Sequence, residues 1–321
     1  MRIIEDWRAV PAAARGASLA LGNFDGVHLG HARVVRAAHA AEPRAPLGVV
    51  TFEPHPRRFF RPQDPPFRLT LPAERAAALA ALGVEWVFQL PFDEAFSLML
   101  AEEFVAEVLH QGLGARHLAC GGDFAFGHRR GGDTTLLARE AEARGIGLTL
   151  VPHLADAEGP ISSSRIRRAL EDGYPERATA ALGRPWAIRG TVIEGDREAR
   201  QFGVPTANVA LGEHLEPARG VYAVSVRLAE GTERPGVGYV GRRATTLGET
   251  PRQIEAHLFD WAGELYGAEL AVSLHCFLRP DRRFPDLAGL RTQIAADTEA
   301  ARRIMDAGGG QPLCSPARED Q

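Results

Sequence analysis

Short apolar runs alternate with longer stretches of three-to-four spacing through the first 180 residues. Runs at 18–21, 47–52, 85–90, 117–120 and 148–151 have the length and apolar density of buried strands. Between them, 32–41, 73–81, 101–109 and 134–144 repeat apolar residues at helical spacing. Such alternation predicts an α/β fold with a parallel, doubly wound sheet, whose ligands sit at the carboxyl ends of the strands. A short helical pattern then runs to about Leu182 and meets Gly183-Arg184-Pro185. From Trp186 the period shortens to β runs at 186–193, 221–228, 236–240, 254–259 and 269–278, separated by turn residues. That pattern predicts a small antiparallel β-barrel. Helical spacing returns over 287–305, and the residues after Ala307 read as a disordered tail. The expected organisation is one domain over 1–183, a second over 184–306, and a tail over 307–321.

The densest chemical signal lies where the first strand run ends, at Gly22-Asn23-Phe24-Asp25-Gly26-Val27-His28-Leu29-Gly30-His31. A strand, a glycine-rich turn and a helix start follow one another. Unpaired N–H groups at a helix N-terminus attract anions, and glycines let a phosphate approach the backbone. His28 and His31 can add donors to the same phosphates. The same residues also allow a metal pair or a capping pair, though no cysteine lies near enough to complete a zinc set. A second phosphate-type element is Ile161-Ser162-Ser163-Ser164-Arg165-Ile166-Arg167. Serine hydroxyls favour helix N-caps, and arginine grips phosphate bidentately. Taken alone, this element also reads as a capped surface helix.

Together, His28-Leu29-Gly30-His31 and 161–167 resemble the paired signatures of the HxGH nucleotidyltransferase superfamily. Thr51-Phe52-Glu53-Pro54-His55-Pro56 and Gly122-Asp123-Phe124-Ala125-Phe126-Gly127 narrow the resemblance. They are similar to the flavin-adenylylating module of bacterial bifunctional riboflavin kinase/FAD synthetases, with Ser164 standing where that family usually has Thr. The resemblance implies a Rossmann-like nucleotidyltransferase domain. In it His28, His31, Ser163, Ser164 and Arg167 hold the reacting phosphates. Gly22 to Gly26, Gly30, Asp123, Ser162 and Arg165 contribute to cofactor binding. Phe52, Pro54, His55 and Phe59 line the flavin.

The second half carries its own signature, Gly203-Val204-Pro205-Thr206-Ala207-Asn208. In an extended segment Thr206 and Asn208 point to one side and can offer two neutral oxygens to one point, a donor set that suits Mg²⁺. Without context the stretch also reads as a proline turn with polar edges. Gln253 to Asp260 alternates as a strand, with Ile254, Ala256 and Leu258 on one face and Glu255 and His257 on the other. The resemblance extends to the family's riboflavin kinase module and covers about residues 15 to 306. It implies Mg²⁺ and nucleotide at Thr206 and Asn208, with Gly195, Arg200, Gly203, Pro205 and Arg243 at the cofactor, and Glu255 as the base for the ribityl hydroxyl. Three departures lie beside that chemistry. Tyr239 stands for Asn and Ala244 for Pro in the stretch Tyr239 to Thr245, and Ala199 stands for Gly in the phosphate-side loop.

Composition narrows the classes further. The chain has 321 residues, enough for two sizeable cores, and a net charge of −4. It is not a basic nucleic-acid binder, so phosphate recognition must be local. All 37 fixed basic side chains are arginine, so no lysine can act as a phosphate clamp. Cys120 and Cys276 fall in apolar strand patterns and are expected to be core thiols; Cys314 lies in the polar tail, and no disulfide framework or zinc motif follows. No secretory signal or membrane-length apolar run is visible, so a cytoplasmic location, without membrane partners, is expected. The expected assembly is a monomer or weak homo-oligomer.

The reading is therefore a two-step enzyme. The second module phosphorylates riboflavin to FMN with ATP, and the first transfers AMP from ATP to FMN, giving FAD and pyrophosphate. The alternatives are a monofunctional FAD synthetase with an impaired kinase module, or a non-catalytic flavin-binding regulatory protein.

Overall fold

The computed structural model describes residues 1–193, 206–241 and 252–308. It divides into two compact units. One comprises Met1–Pro65 and Thr70–Ser162, the other Pro66–Leu69 and Ser163–Gln321.

The first unit is built on six strands: β1 (Arg2–Ile4), β2 (Ser18–Leu21), β3 (Leu47–Glu53), β4 (Trp86–Pro91), β5 (His117–Gly121) and β6 (Gly147–Val151). All pairings within this sheet are parallel and the order is β1-β4-β3-β2-β5-β6; a short antiparallel pair, β7 (Ala155–Asp156) with β8 (Gly159–Pro160), follows it in the chain. The helices are α1 (Leu29–Ala41), α2 (Pro56–Phe60), α3 (Pro72–Ala80), α4 (Glu94–Leu98), α5 (Ala101–Glu103) and α6 (Thr134–Glu142). They leave β2 and β3 buried almost from end to end. Two apolar clusters lie on the sheet, one around Leu19, Phe88, Val105 and Leu118 and the other around Ala20, Val35, Val49 and Val87. Residues alternating along one strand thus enter opposite layers, as a doubly covered sheet requires. The chain winds outward from β2 to β3 and β4, then returns to place β5 on the other side of β2. The strand order therefore reverses between β2 and β5, which is the switch point where such sheets bind ligands.

Local differences from the sequence pattern have physical causes. The pattern predicts the first helix from residue 32, whereas α1 starts at Leu29, because His28 caps it with a ring nitrogen. The single helix expected over 101–109 is α5 followed by a π-helix, Phe104–Gly112. Apolar spacing does not distinguish that winding from an α-helix.

In the second unit, α7 (Ser163–Glu171) and α8 (Pro175–Leu182) precede a closed antiparallel barrel in the order β10-β13-β12-β11-β14-β9. Its strands are β9 (Trp186–Ile193), β10 (Ala207–Ala210), β11 (Gly220–Arg227), β12 (Glu233–Gly241), β13 (Gln253–Leu258) and β14 (Glu269–Pro280). Ile254, Ala256 and Leu258 fill the interior, while Glu255 and His257 alternate to the outer face. The terminal helix Leu287–Asp306 covers part of that outer face through Ala301 and Ile304, which pack on Ala223, Phe259 and Cys276. Arg279 on β14 clamps Asp297 of that helix with three hydrogen bonds of 2.8 to 3.1 Å. Cys120 is a buried free thiol, as expected. Cys276 is 1% exposed and lies in the apolar cluster under the terminal helix, the core position its strand pattern predicts.

Candidate active sites

The loop joining β2 to α1 lies at the switch point of the first unit. His28 is the N-cap residue of α1, and its Nδ1 accepts the His31 backbone N–H at 3.2 Å. A ring nitrogen that accepts carries no proton, so the neutral His28 imidazole is protonated at Nε2. That tautomer turns its N–H donor away from the helix. The His31 ring stacks on His28, with centroids 3.6 Å apart and planes within 15°, and Phe24 packs at a tilt on His31 at 5.1 Å. His28 is buried and His31 half-buried. Both imidazoles therefore sit on the first turn of a 13-residue helix, where the backbone dipole favours anions.

Gly30 has a steric role beyond the one its sequence suggests. A Cβ there would lie 3.0 Å from His28 Cε1, 3.1 Å from His28 Nδ1 and 3.5 Å from the Ile161 carbonyl oxygen. The missing side chain thus leaves room for the capping imidazole. It also lets the start of the second signature approach the first. Phe24 and Val27 hold φ at 52° and 43°. For a β-branched residue that is a strained conformation, of the kind that collects at functional loops.

Other residues support the loop from behind. Asp25 is 3% exposed, and its Oδ1 accepts the Thr70 N–H at 3.0 Å, while Gly26 N–H donates to Thr70 Oγ1 at 2.9 Å. In this structure Asp25 fastens the loop. The Asn23 carbonyl accepts Thr51 Oγ1–H at 3.2 Å and an Arg75 guanidinium N–H at 3.5 Å. Arg75, 2% exposed, also donates to Gln89 Oε1 at 3.0 Å and Glu53 Oε2 at 3.4 Å. It ties the β2–α1 loop to the ends of β3 and β4. Sequence reasoning missed Arg75, since a buried arginine in an alanine-rich helix has no local signal. Gly22 donates its N–H to the Val50 carbonyl.

The flanking motifs also fall at the carboxyl ends of strands. Phe52 closes β3 within an aromatic cluster with Phe92, Phe96 and Phe104. Pro54 is exposed, and His55 caps α2, its Nδ1 accepting the Arg57 N–H at 3.1 Å. Phe59 packs on Phe60 and Phe92. Asp123 follows β5 and is exposed, 3.6 Å from His153 Nε2, a neighbour the sequence reading did not single out. Ile161 and Ser162 end this unit.

In the second unit, Ser163, Ser164, Arg165 and Arg167 lie on α7, whose buried stripe is Ile166, Ala169 and Leu170. Arg167 donates from Nε to the Phe67 carbonyl at 2.8 Å and lies over the Phe67 ring. On the barrel, Glu255 in β13 pairs in register with Asn208 of β10 on one side and Tyr239 of β12 on the other. Directly opposite residues share a face, so the three form one row on the outer surface. Asn208 is nevertheless 3% exposed. Gln253, also missed from sequence, donates through Nε2 to Glu255 Oε1 at 3.1 Å and Asn208 Oδ1 at 3.4 Å. Thr206 borders a depression with Ala207, Trp261, Glu264 and Tyr266. Gly195, Ala199, Arg200, Gly203, Pro205, Arg243, Ala244 and Cys314 lie outside the described residues.

A nucleotide-type α/β unit with an imidazole-capped phosphate loop, followed by a barrel carrying a carboxylate between an amide and a phenol, defines a two-site phosphate-transfer protein. Family models agree for each half: the FAD synthetase model matches residues 10–165 and the riboflavin kinase model residues 182–305. The chain is 39% identical over 306 residues to the bifunctional riboflavin kinase/FMN adenylyltransferase of Pseudomonas fluorescens, covering 95% of this chain and 98% of that one. It is 38% identical to the protein of that name from Escherichia coli K12, over 92% and 94% of the two chains. It therefore belongs to the bifunctional riboflavin kinase/FMN adenylyltransferase family. A solved structure titled as a macrolide-efflux protein from Streptococcus pneumoniae shares the fold, with a TM-score of 0.84 and 31% identity over 94% of this chain and 98% of that one. Among the described residues no helix of this chain is long and apolar enough to cross a membrane.

Proposed function

We propose that this chain makes FAD in two steps, phosphorylating riboflavin on the barrel unit and adenylylating FMN on the α/β unit. The observation that carries this reading is that each compact unit holds its own constellation, the capped histidine pair in one and the Asn208–Glu255 row in the other. We place the functional boundary near residue 183, and assign the enzyme to the cytoplasm as a monomer or weak homo-oligomer.

In adenylyl transfer the FMN phosphate attacks the α-phosphate of ATP, and pyrophosphate leaves. The nucleophile is already an anion, so the site needs positioning and charge stabilisation rather than a strong base. His28 Nε2–H, His31 and the N–H groups opening α1 supply donors to those phosphates. Asn23 and Asp25 hold the loop in shape, and the Phe52–His55 region receives the flavin.

In the kinase step the nucleophile is a neutral alcohol, so Glu255 has a defined use: it takes the hydroxyl proton as the oxygen attacks the γ-phosphate. Gln253 orients its carboxylate through Oε1. Thr206 and Asn208 fit Mg²⁺, because both offer neutral oxygens and Asn208 Oδ1 receives only a long contact of 3.4 Å from Gln253. A Mg²⁺ bound there would neutralise phosphate charge. Asn208 shares the row with Glu255, which supports a base close to that phosphate.

Purified protein incubated with riboflavin, ATP and Mg²⁺ should accumulate FMN and then FAD, resolved by chromatography. Formation of FAD from supplied FMN, with no FMN from riboflavin, would replace this reading with a monofunctional synthetase. Neither product would leave a flavin-binding protein.

A further inference from the structure

The row on the barrel has two ends, and only one belongs to the phosphate donor. Glu255 occupies the middle strand, β13. On the β10 side lie Asn208 and, two residues earlier, Thr206. A base that deprotonates an attacking alcohol must touch the alcohol oxygen, and that oxygen lies between base and phosphate. With the phosphate over β10, the rest of the alcohol extends over β12. The residue directly opposite Glu255 on β12 is Tyr239.

We propose that Tyr239 is a specificity-determining residue of the kinase site, whose ring walls the side of Glu255 along which the polyol chain and flavin of the acceptor lie. The inference rests on the kinase reading given above and names the acceptor side of that site. Three features of Tyr239 support it. Cross-strand partners on one face stand about 5 Å apart at Cβ, so a substrate hydroxyl reaching Glu255 passes within contact of the phenol ring. The ring is held in place. Gly241, its neighbour two residues on along the same face, leaves the space: a Cβ there would fall 2.4 Å from Tyr239 Cζ and 2.5 Å from Cε1. The ring thus lies back over the strand and covers the backbone at Gly241. Its hydroxyl lies near the Asp281 carboxylate, just beyond the end of β14. Finally, Tyr239 is half-buried, so part of the residue is accessible at the barrel surface. An aromatic face with a fixed orientation suits both the apolar ring system and the polyol chain of a flavin alcohol.

The test is steady-state kinetics of FMN formation by the full chain, with riboflavin and ATP varied separately. Tyr239→Ala should raise the riboflavin KM about tenfold or more. The ATP KM should stay within about twofold, and FAD formation from FMN should be unchanged. Tyr239→Phe, which keeps the ring, should restore the riboflavin KM to within about threefold of wild type. An unchanged riboflavin KM in Tyr239→Ala overturns the proposal. So does an equal rise of both KM values, which reports general loosening of the barrel, or a Tyr239→Phe protein as impaired as Tyr239→Ala. Should wild type form no FMN, the kinase reading fails separately. Calorimetric titration with riboflavin then decides: loss of one binding equivalent in Tyr239→Ala supports the wall, and unchanged stoichiometry and affinity overturn it.

Discussion

His31 and Glu255 make opposite demands on a single substitution. His31 stacks on the capping imidazole at a helix N-terminus, and the role proposed for it is to meet charge that grows on phosphate oxygens. His31→Ala should slow FAD formation from FMN at least tenfold, a ΔΔG‡ above about 1.4 kcal/mol, while FMN formation from riboflavin persists. Glu255→Gln keeps the size and the contact with Gln253 but removes the proton acceptor. It should slow FMN formation about a hundredfold and spare adenylylation. Rates of the two half-reactions, measured separately on each variant, check the pair: an effect of either substitution on the wrong reaction removes that residue from its assigned site. Both residues stand out in the sequence, but their supports do not. Arg75, Thr70 and Gln253 act through contacts with residues distant in the chain, or across a strand pair, that no local spacing encodes.

At the scale of elements, the pairing of β5 with β6 carries a pH signal. His117 on β5 is buried, and its Nε2 meets Thr149 Oγ1 of β6 at 2.9 Å. Burial pushes its imidazole below the ordinary value near 6.5, against a smaller opposite pull from Glu42. The neutral form is therefore favoured in the folded state. The unfolded chain binds the proton first as pH falls, so His117 contributes stability above about pH 6.5 and loses it progressively below that value. Urea midpoints of wild type should drop between pH 7 and pH 5 more steeply than those of His117→Gln. Parallel pH profiles would show that His117 does not contribute. The elements themselves were legible where periodicity is strong. All five strand runs of the first half appear, in a parallel sheet. The edge strand Arg2–Ile4 was not, because three residues carry no period. The starts of α1 and α2 were also hidden, because histidine is not among the residues that ordinarily mark an N-cap.

For the whole molecule, the proposed boundary at 183 predicts that a 1–183 fragment forms FAD from FMN and cannot phosphorylate riboflavin. The compact units add a cost to that cut. Pro66–Leu69 clusters with the second unit. There the Leu69 carbonyl accepts the Trp186 indole N–H at 2.8 Å, the Arg68 carbonyl accepts the Leu215 N–H at 2.9 Å, and Phe67 and Leu69 are buried. The fragment loses the Trp186 and Leu215 partners and exposes apolar surface. It should therefore unfold at lower temperature than the full chain by circular dichroism while remaining active towards FMN. A folded fragment inert towards FMN would show that the α/β half does not catalyse alone. The sequence by itself determined the two fold types, their order along the chain and the two chemical signatures, because periods of two and 3.6 and short motifs are local properties. Only the tertiary structure decided which strand neighbours which, and hence that the histidine loop sits where the sheet order reverses. It alone decided that the strap at 66–69 joins the barrel unit and that Tyr239 faces Glu255. Those facts depend on pairings between segments far apart in the chain, which no window of sequence contains.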